Sequence, residues 1–327
     1  MSEKIKVGIL GYGNLGRGAE LAISQQPDME LVAVFSRRGA VDTVDKNVKS
    51  LHIDDATDYV GKIDVMILCG GSATDLPEQA PAFARLFNTV DSYDTHALIP
   101  EYFESVDKAS QASGHVNIIS VGWDPGLFAI NRVMSEAVLY NGNTYTFWGK
   151  GLSQGHSDAV RRVEGVKAGV QYTLPSEEAM NEVRRGDDPE ITKSDGHKRE
   201  CYVVLEEGAD AKLVEETIKT MPNYFDEYDT TVHFITEEEL ARDHNKMPHG
   251  GFVIHSGKTG EDENNHIIEY SLKLESNPEF TASVLVAYAR AAHRLSKEGQ
   301  TGAKTVYDIG PGYIHPKSPA ELRKGYL

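Results

Sequence analysis

Near its start the chain carries Gly11-Tyr12-Gly13-Asn14-Leu15-Gly16, set between an apolar run at residues 4–10 (K-I-K-V-G-I-L) and a helix-like stretch from Leu15 to Gln26 that Pro27 closes. A second run, Glu30 to Phe35, is β-branched and almost wholly apolar, as a strand buried on both faces is. Strand, glycine turn, helix and strand within about 30 residues make the context in which G-x-G-x-x-G has a mechanical meaning. Gly11 makes the tight turn, Gly13 lets a pyrophosphate reach the backbone, and Gly16 lets helix and strand pack closely. The helix start then offers free N–H groups and partial positive charge to phosphates. The feature therefore predicts a dinucleotide-binding βαβ unit, with Tyr12, Asn14 and Leu15 also beside the ligand.

The alternation continues. Ile63 to Cys69, Asn88 to Ser92 and Val116 to Val121 read as strands. Pro77 to Phe87 and about Pro100 to Ser113 read as the helices between them. Strands alternating with helices predict an α/β fold, a Rossmann domain with a mostly parallel sheet. After Gly122 the pattern changes. Thr144 to Trp148, Arg199 to Leu205, Thr230 to Ile235, Gly251 to His255 and His266 to Leu274 read as longer strands with polar alternation, and Ala211 to Met221 as a helix. These predict a second, α+β domain with an antiparallel or mixed sheet. Glu182 to Lys198, charged and glycine-containing, reads as a loop. Phe280 to Lys297 is an amphipathic helix expected to return to the first sheet. The expected division is residues 1–122 plus about 276–327 for the nucleotide-binding domain, and 123–275 for the second domain.

The end of the second strand selects among dinucleotides. NAD binders place a carboxylate there, to accept from both ribose hydroxyls. Here the residues are Ser36, Arg37 and Arg38. A hydroxyl and two guanidiniums suit a 2′-phosphate, which a carboxylate would repel, so the sequence favours NADP. The loop after the third strand, Cys69-Gly70-Gly71-Ser72-Ala73-Thr74, is next along the same sheet edge. Its Gly70, Ser72 and Thr74 are candidates to flank the ribose and nicotinamide. Cys69 reads as packing there, since nothing basic adjoins it to activate a thiolate.

Charge narrows the partners. The net charge of −17 disfavours nucleic acid and anionic lipid. Two cysteines, Cys69 and Cys201, form neither a disulfide framework nor a zinc spacing, and no metal site is expected. The charged M-S-E-K-I-K-V start and the lack of a long apolar run predict a cytoplasmic protein without a membrane segment.

Three further stretches carry candidate chemistry. Asp91 to His96 (D-S-Y-D-T-H) follows the fourth strand, and Ser120 to Gly126 (S-V-G-W-D-P-G) follows the fifth. Both lie at the edge that holds the glycine loop, so Asp94 and Asp124 are candidates to meet an ammonium group there. Asp124-Pro125-Gly126 also reads as a turn. The third stretch, Phe147 to Asp158, is glycine-rich and polar and holds Trp148. With Trp123 it accounts for both tryptophans, for which a core position is the default. Farther on, His249 sits in M-P-H-G-G, Arg199 follows H-K, Thr173 lies in V-Q-Y-T-L-P, and Asn277 precedes Pro278, where it also suits a helix cap.

Taken in order, G-Y-G-N-L-G, F-S-R-R, G-S-A-T-D, G-W-D-P-G, F-W-G-K-G-L-S-Q-G-H-S-D, Q-Y-T-L-P-S, M-P-H-G-G and N-P-E-F-T-A-S closely resemble the meso-diaminopimelate dehydrogenase family, from about residue 5 to residue 305. The resemblance implies a homodimer, with residues 123–275 as its substrate-binding and dimerisation domain, that deaminates the D-centre of meso-2,6-diaminopimelate oxidatively and reversibly with NADP, in lysine and cell-wall precursor synthesis. It implies that Asp94, Trp123, Asp124 and Trp148 surround the reacting centre. It places Thr173, Arg199, His249 and Asn277 at the distal L-end, and Gln154 and Gly155 against the substrate. The general base stays open among Asp94, Asp124 and a bound water, with Asp124 favoured. The rival readings are another NADP oxidoreductase of this architecture and a non-catalytic NADP sensor.

Overall fold

The computed structural model describes residues 3–261 and 263–327. The chain opens with β1 (Ile5–Leu10), α1 (Asn14–Ser24), β2 (Met29–Ser36), β3 (Lys49–His52), β4 (Val65–Leu68), α2 (Leu76–Phe83), β5 (Asn88–Asp91), α3 (Ile99–Ser113), β6 (Val116–Ile118) and α4 (Leu127–Val138). It continues through β7 (Gly142–Trp148), β8 (Gly151–Leu152), α5 (Gln154–Arg161), β9 (Val166–Pro175), α6 (Glu177–Arg185), β10 (His197–Leu205), α7 (Ala211–Lys219), β11 (Asp229–Phe234), α8 (Glu237–Asp243), β12 (His249–Thr259) and β13 (Asn264–Leu274). It ends with α9 (Asn277–Lys297), β14 (Gly302–Lys304), α10 (Pro311–Ile314) and α11 (Pro319–Tyr326). Two compact units result: residues 1–130 with 278–327, and residues 131–277.

The first unit holds one sheet in the order β3-β2-β1-β4-β5-β6-β14, and every neighbouring pair is parallel. This is the doubly wound Rossmann arrangement, whose strand order reverses between β1 and β4 and whose ligand crevice opens beyond the strands' carboxyl ends. Alternate side chains feed two cores. Val7 and Ile9 face α1 and α9, while Leu10, Ala33 and Phe35 face α2 and α3. Helix α9 therefore shares the face of α1, as its apolar spacing predicts, and buries Ala282, Leu285, Ala289 and Ala292. Arg290 locks it there from a fully buried position. Its guanidinium donates to both oxygens of Asp28 at 2.7 Å, to Gln26 at 2.8 Å and to the Ile314 carbonyl at 2.7 Å.

The second unit has two sheets. The larger runs β11-β10-β9-β8, with β10 and β11 parallel and the other pairs antiparallel. The smaller runs β13-β12-β7 and is antiparallel throughout. Helix α5 packs on β9 and β10 over a core of Val160, Cys201, Val203 and Phe225.

One expectation is corrected here. Glu182 to Arg185 is not loop but the last turn of α6, and His197 and Lys198 begin β10. Ala179, Met180 and Val183 form the buried stripe of α6, Ser176 caps its start, and Gly186 ends it in a left-handed conformation with φ of 80°. The glutamates and arginines on the other face hid that stripe. The strand β9 and the helices α4, α5 and α8 also escaped the sequence reading.

Candidate active site

In the first unit, Gly11 turns with φ of 92°, a left-handed value that favours glycine. A Cβ on Gly16 would lie 2.2 Å from the Gly11 carbonyl oxygen, so helix and turn approach only because Gly16 lacks one. Above Gly13 the reverse holds, since a Cβ there would meet no atom within 4 Å. Helix α1 starts without a side-chain cap and without an acidic residue in its first turn. A positive helix end that no acidic side chain of the first turn neutralises and the open space at Gly13 together fit a pyrophosphate.

The residues at the end of β2 fit a 2′-phosphate. The Arg38 guanidinium donates to the Tyr12 carbonyl at 2.7 Å, and the Arg38 N–H donates to Ser36 Oγ at 3.1 Å. Arg37, largely exposed, makes a two-pronged contact with the Asp75 carboxylate at 3.0 and 3.1 Å. Asp75 also accepts from the Gly71 N–H at 2.9 Å, which ties the β2 end to the Cys69–Thr74 loop. Gly70, Ser72 and Thr74 lie in that loop. Cys69 is half-buried, and burial pushes its thiol up to about 12, so it packs as an inert thiol.

Two carboxylates from the sequence reading stand at the same carboxyl edge. Asp94 is exposed, and its N–H donates to Ser72 Oγ at 2.9 Å. Asp124 is half-buried, next to Trp123, whose ring meets Phe128 edge-on at 5.2 Å. Their loops share an anchor that the sequence reading missed. Asp91 is fully buried at the end of β5. Its Oδ1 accepts from Tyr93 N at 3.0 Å and Ser120 N at 3.2 Å, and its Oδ2 accepts from the Tyr102 hydroxyl at 2.8 Å. Burial pushes the Asp91 carboxyl up to about 6, against the three hydrogen bonds.

In the second unit the register of β9 on β10 sets Thr173 opposite Arg199. Arg199 is buried, donates to Thr173 Oγ1 and stacks 4.0 Å from the centre of the Tyr228 ring. Its Nε has no hydrogen-bond partner. A buried guanidinium with a spare donor is a ready receptor for a carboxylate. His156 stays neutral beside it, because burial and the Arg199 charge push its imidazole down to about 4. His249 lies flat against Gly151, where a Cβ would come within 2.4 Å of the ring, so glycine is needed there. Gln154 reaches the Met247 sulfur at 3.6 Å, and Gly155, beside it in the first turn of α5, is exposed. The Asn277 N–H donates to the Met247 carbonyl at 2.9 Å, which brings Asn277 to the M-P-H-G-G turn. Trp148 ends β7, and its N–H donates to His197 Nε2 at 2.8 Å. Among the described residues no cluster of three or more His, Cys, Asp or Glu is arranged to hold a metal, and no helix is long and apolar enough to cross a membrane.

The first unit thus presents an open glycine turn at the start of α1 and two carboxylates, Asp94 and Asp124, on loops at the carboxyl edge of its sheet, and the second a buried arginine, Arg199, against Thr173. Residues 122–276 match the family model described as the diaminopimelic acid dehydrogenase C-terminal domain. The meso-diaminopimelate D-dehydrogenase of Ureibacillus thermosphaericus is 66% identical over 325 residues, covering 99% of each chain. The chain belongs to the meso-diaminopimelate D-dehydrogenase family. Two solved structures are similar to it over essentially their whole length. Corynebacterium glutamicum DAP dehydrogenase in complex with DAP is 48% identical, with all of both chains covered and a TM-score of 0.91. An engineered D-amino acid dehydrogenase bound to NADP+ is 47% identical, with 99% of this chain and 100% of that one covered and a TM-score of 0.85.

Proposed function

We propose that this chain catalyses the reversible, NADP-dependent oxidative deamination of the D-centre of meso-2,6-diaminopimelate. Amine, NADP and water give L-2-amino-6-oxopimelate, ammonia, NADPH and a proton, and the oxo acid cyclises to tetrahydrodipicolinate. The observation that carries this reading is the pairing of two recognition sets in a chain of this family. Ser36, Arg37 and Arg38 at the end of β2 offer the donors a 2′-phosphate needs, and buried Arg199 beside Thr173 offers those a carboxylate needs, which supports the reading.

Bound NADP supplies the hydride acceptor. The chain's own residues bind and orient. Gly11 to Gly16 hold the pyrophosphate, Arg37 and Arg38 the 2′-phosphate, and Gly70, Ser72 and Thr74 flank the ribose and nicotinamide. Asp94 and Asp124 meet the D-ammonium, and Trp123 and Trp148 contact the D-centre. Asp124 takes the proton that the amine must lose before its carbon is oxidised. Arg199, Thr173, His249 and Asn277 hold the distal L-amino acid end, and Gln154 and Gly155 lie along the substrate. Anchoring the far end fixes which face of the D-carbon is presented, and the wrong enantiomer leaves buried polar groups unpaired. A cytoplasmic homodimer in lysine and cell-wall precursor synthesis completes the proposal. The exposed Met134, Val138 and Tyr140 support a self-association surface.

The deciding experiment is absorbance at 340 nm with NADP or NAD and the meso, L,L and D,D isomers. NADPH formed from the meso and D,D isomers but not from L,L is the expected result. Protein that binds NADP yet turns over none of them would be a sensor or act on another substrate.

A further inference from the structure

His197 lies outside every candidate set above, yet it joins the two sheets of the second unit at the site. It opens β10, two residues before Arg199, so both side chains leave the same face of that strand. The residue is 4% exposed. Nε2 accepts from the Trp148 backbone N–H at 2.8 Å, and Nδ1 lies 2.9 Å from the Lys193 carbonyl. A backbone N–H only donates and a carbonyl only accepts. The ring is therefore the neutral tautomer with its proton on Nδ1, and both nitrogens are in use. Burial, the largest cause, also lowers its pKa. The ring stacks on the Trp148 indole at 5.2 Å with an interplanar angle of 25°, and it lies 6.1 Å from the Phe147 ring. Trp148 belongs to the three-stranded sheet and Arg199 to the four-stranded one.

We propose that His197 is a positioning residue that sets the span between Trp148 and Arg199, and with it the length of diamino dicarboxylate the enzyme accepts. The proposal rests on the functional reading above, in which Trp148 flanks the D-centre and Arg199 the distal end. Two residues along a strand cover about 6.7 Å, so the position of Arg199 relative to His197 is fixed by β10 itself. Trp148 has no such covalent tie to β10. Beside its pairing with Gly251 of β12, Trp148 meets the start of β10 through the hydrogen bond and the stacked ring of His197. A cavity of about 170 Å³ borders both Trp148 and His197, so a Trp148 released from His197 has room to shift. A shift of about 1 Å at one wall is enough to cost a reaction a factor of about a hundred.

The test compares His197→Asn with His197→Gln. The Asn amide nitrogen replaces Nδ1 and leaves Trp148 without an acceptor, while the Gln carbonyl replaces Nε2 and keeps the bond. Each variant is assayed with saturating NADP on meso-2,6-diaminopimelate and on meso-2,5-diaminoadipate, one methylene shorter. In His197→Asn the preference for the longer substrate, as a ratio of kcat/KM, falls at least tenfold, mainly through a higher KM for diaminopimelate. His197→Gln returns it to within about threefold of the parent, and the Kd for NADP changes in neither variant. An unchanged ratio in a folded His197→Asn protein overturns the proposal, as does a His197→Gln variant that falls equally far. If His197→Asn does not fold, Phe147→Leu, which removes one ring packed on His197, serves instead. A loss of preference of about threefold supports the proposal, and no change overturns it. A parent enzyme inactive on both substrates overturns the functional reading and takes this inference with it.

Discussion

The Tyr102 hydroxyl donates to Asp91 Oδ2 at 2.8 Å beneath the two loops that carry Asp94 and Asp124, and the Tyr102 ring stacks on Tyr93 at 3.9 Å. Every partner of the Asp91 carboxylate is a donor. Protonating it therefore sets a fourth donor among three and loosens the junction of the loops. Burial raises the Asp91 pKa to about 6, and the Tyr102 bond is one of the effects that lower it. Tyr102→Phe removes that bond, so the Asp91 pKa rises further. If Asp91 governs the acidic limb of kcat/KM, that limb is expected to move to higher pH in Tyr102→Phe than in the parent. A stability loss of about 1–3 kcal/mol should accompany it, from the unpaired buried oxygen. Parallel pH profiles and urea melts read both, and an unmoved limb would show that Asp91 does not govern it.

Arg37 and Arg38 give the cofactor prediction. Arg38 is already held on the Tyr12 carbonyl, and Arg37 on Asp75, so both guanidiniums are largely ordered before a phosphate arrives. Each charge-assisted bond is worth about 1.5–3 kcal/mol. Arg37→Ala and Arg38→Ala should each raise the KM for NADP by roughly 10- to 100-fold. The KM for NAD should change by no more than a few-fold. Steady-state kinetics with both cofactors measure this, and equal losses on the two would place neither arginine at the 2′-phosphate.

The Rossmann half was legible because its signals are local. A glycine turn between a strand and a helix, and a β2 end reading Phe35-Ser36-Arg37-Arg38, declare their positions without tertiary information. Asp94 and Asp124 could be placed at the sheet's carboxyl edge because each follows a readable strand. The second unit was legible only in part. β9 buries Gln171 and Thr173 among its polar residues and carries Gly169, so its composition does not alternate as a half-buried strand should. The contacts that hold Arg199 and Trp148 in place are long-range. Thr173 meets Arg199 through strand register, and Trp148 meets His197 across two sheets. No spacing rule in a single sequence encodes either one. The D-S-Y-D-T-H and H-K-R-E stretches contain Asp91 and His197 as well, and nothing local marks these two as buried anchors beside their neighbours Asp94 and Arg199.

Arg290 predicts where the first unit breaks. Its buried guanidinium spans Asp28, Gln26 and Ile314, and so binds α9 to the α1–β2 turn and to the C-terminal segment. Arg290→Met removes the donors and strands the Asp28 carboxylate, whose pKa the Arg290 contact holds low against burial. Loss of one partner of a fully buried pair costs about 3–5 kcal/mol, and the cost here is expected below that range because Asp28 is half-buried. Arg290→Met with Asp28→Leu should recover part of it, since neither charge is then buried alone. Denaturant melts of the two variants decide this, and a double variant no more stable than the single one would sink the ion-pair account.

His156 sets a pH dependence of stability. Burial, and next to it the Arg199 charge, lower its pKa from 6.5 to about 4. A histidine lowered in this way binds its proton more readily in the unfolded chain than in the folded one. Between about pH 6.5 and pH 4 the unfolded state therefore gains a proton that the folded state refuses, and stability falls as the pH falls. Above pH 6.5 the two states are equally deprotonated and the effect vanishes. Discounted for the exposed part of the ring, the loss is about 2 kcal/mol by pH 4. His156→Gln keeps a polar group near Ser153 and the edge of the Phe225 ring but cannot take a proton in this range. The drop in unfolding free energy from pH 7 to pH 4.5 should be smaller in His156→Gln than in the parent, and equal drops in urea melts at the two pH values would assign the acid sensitivity to other groups.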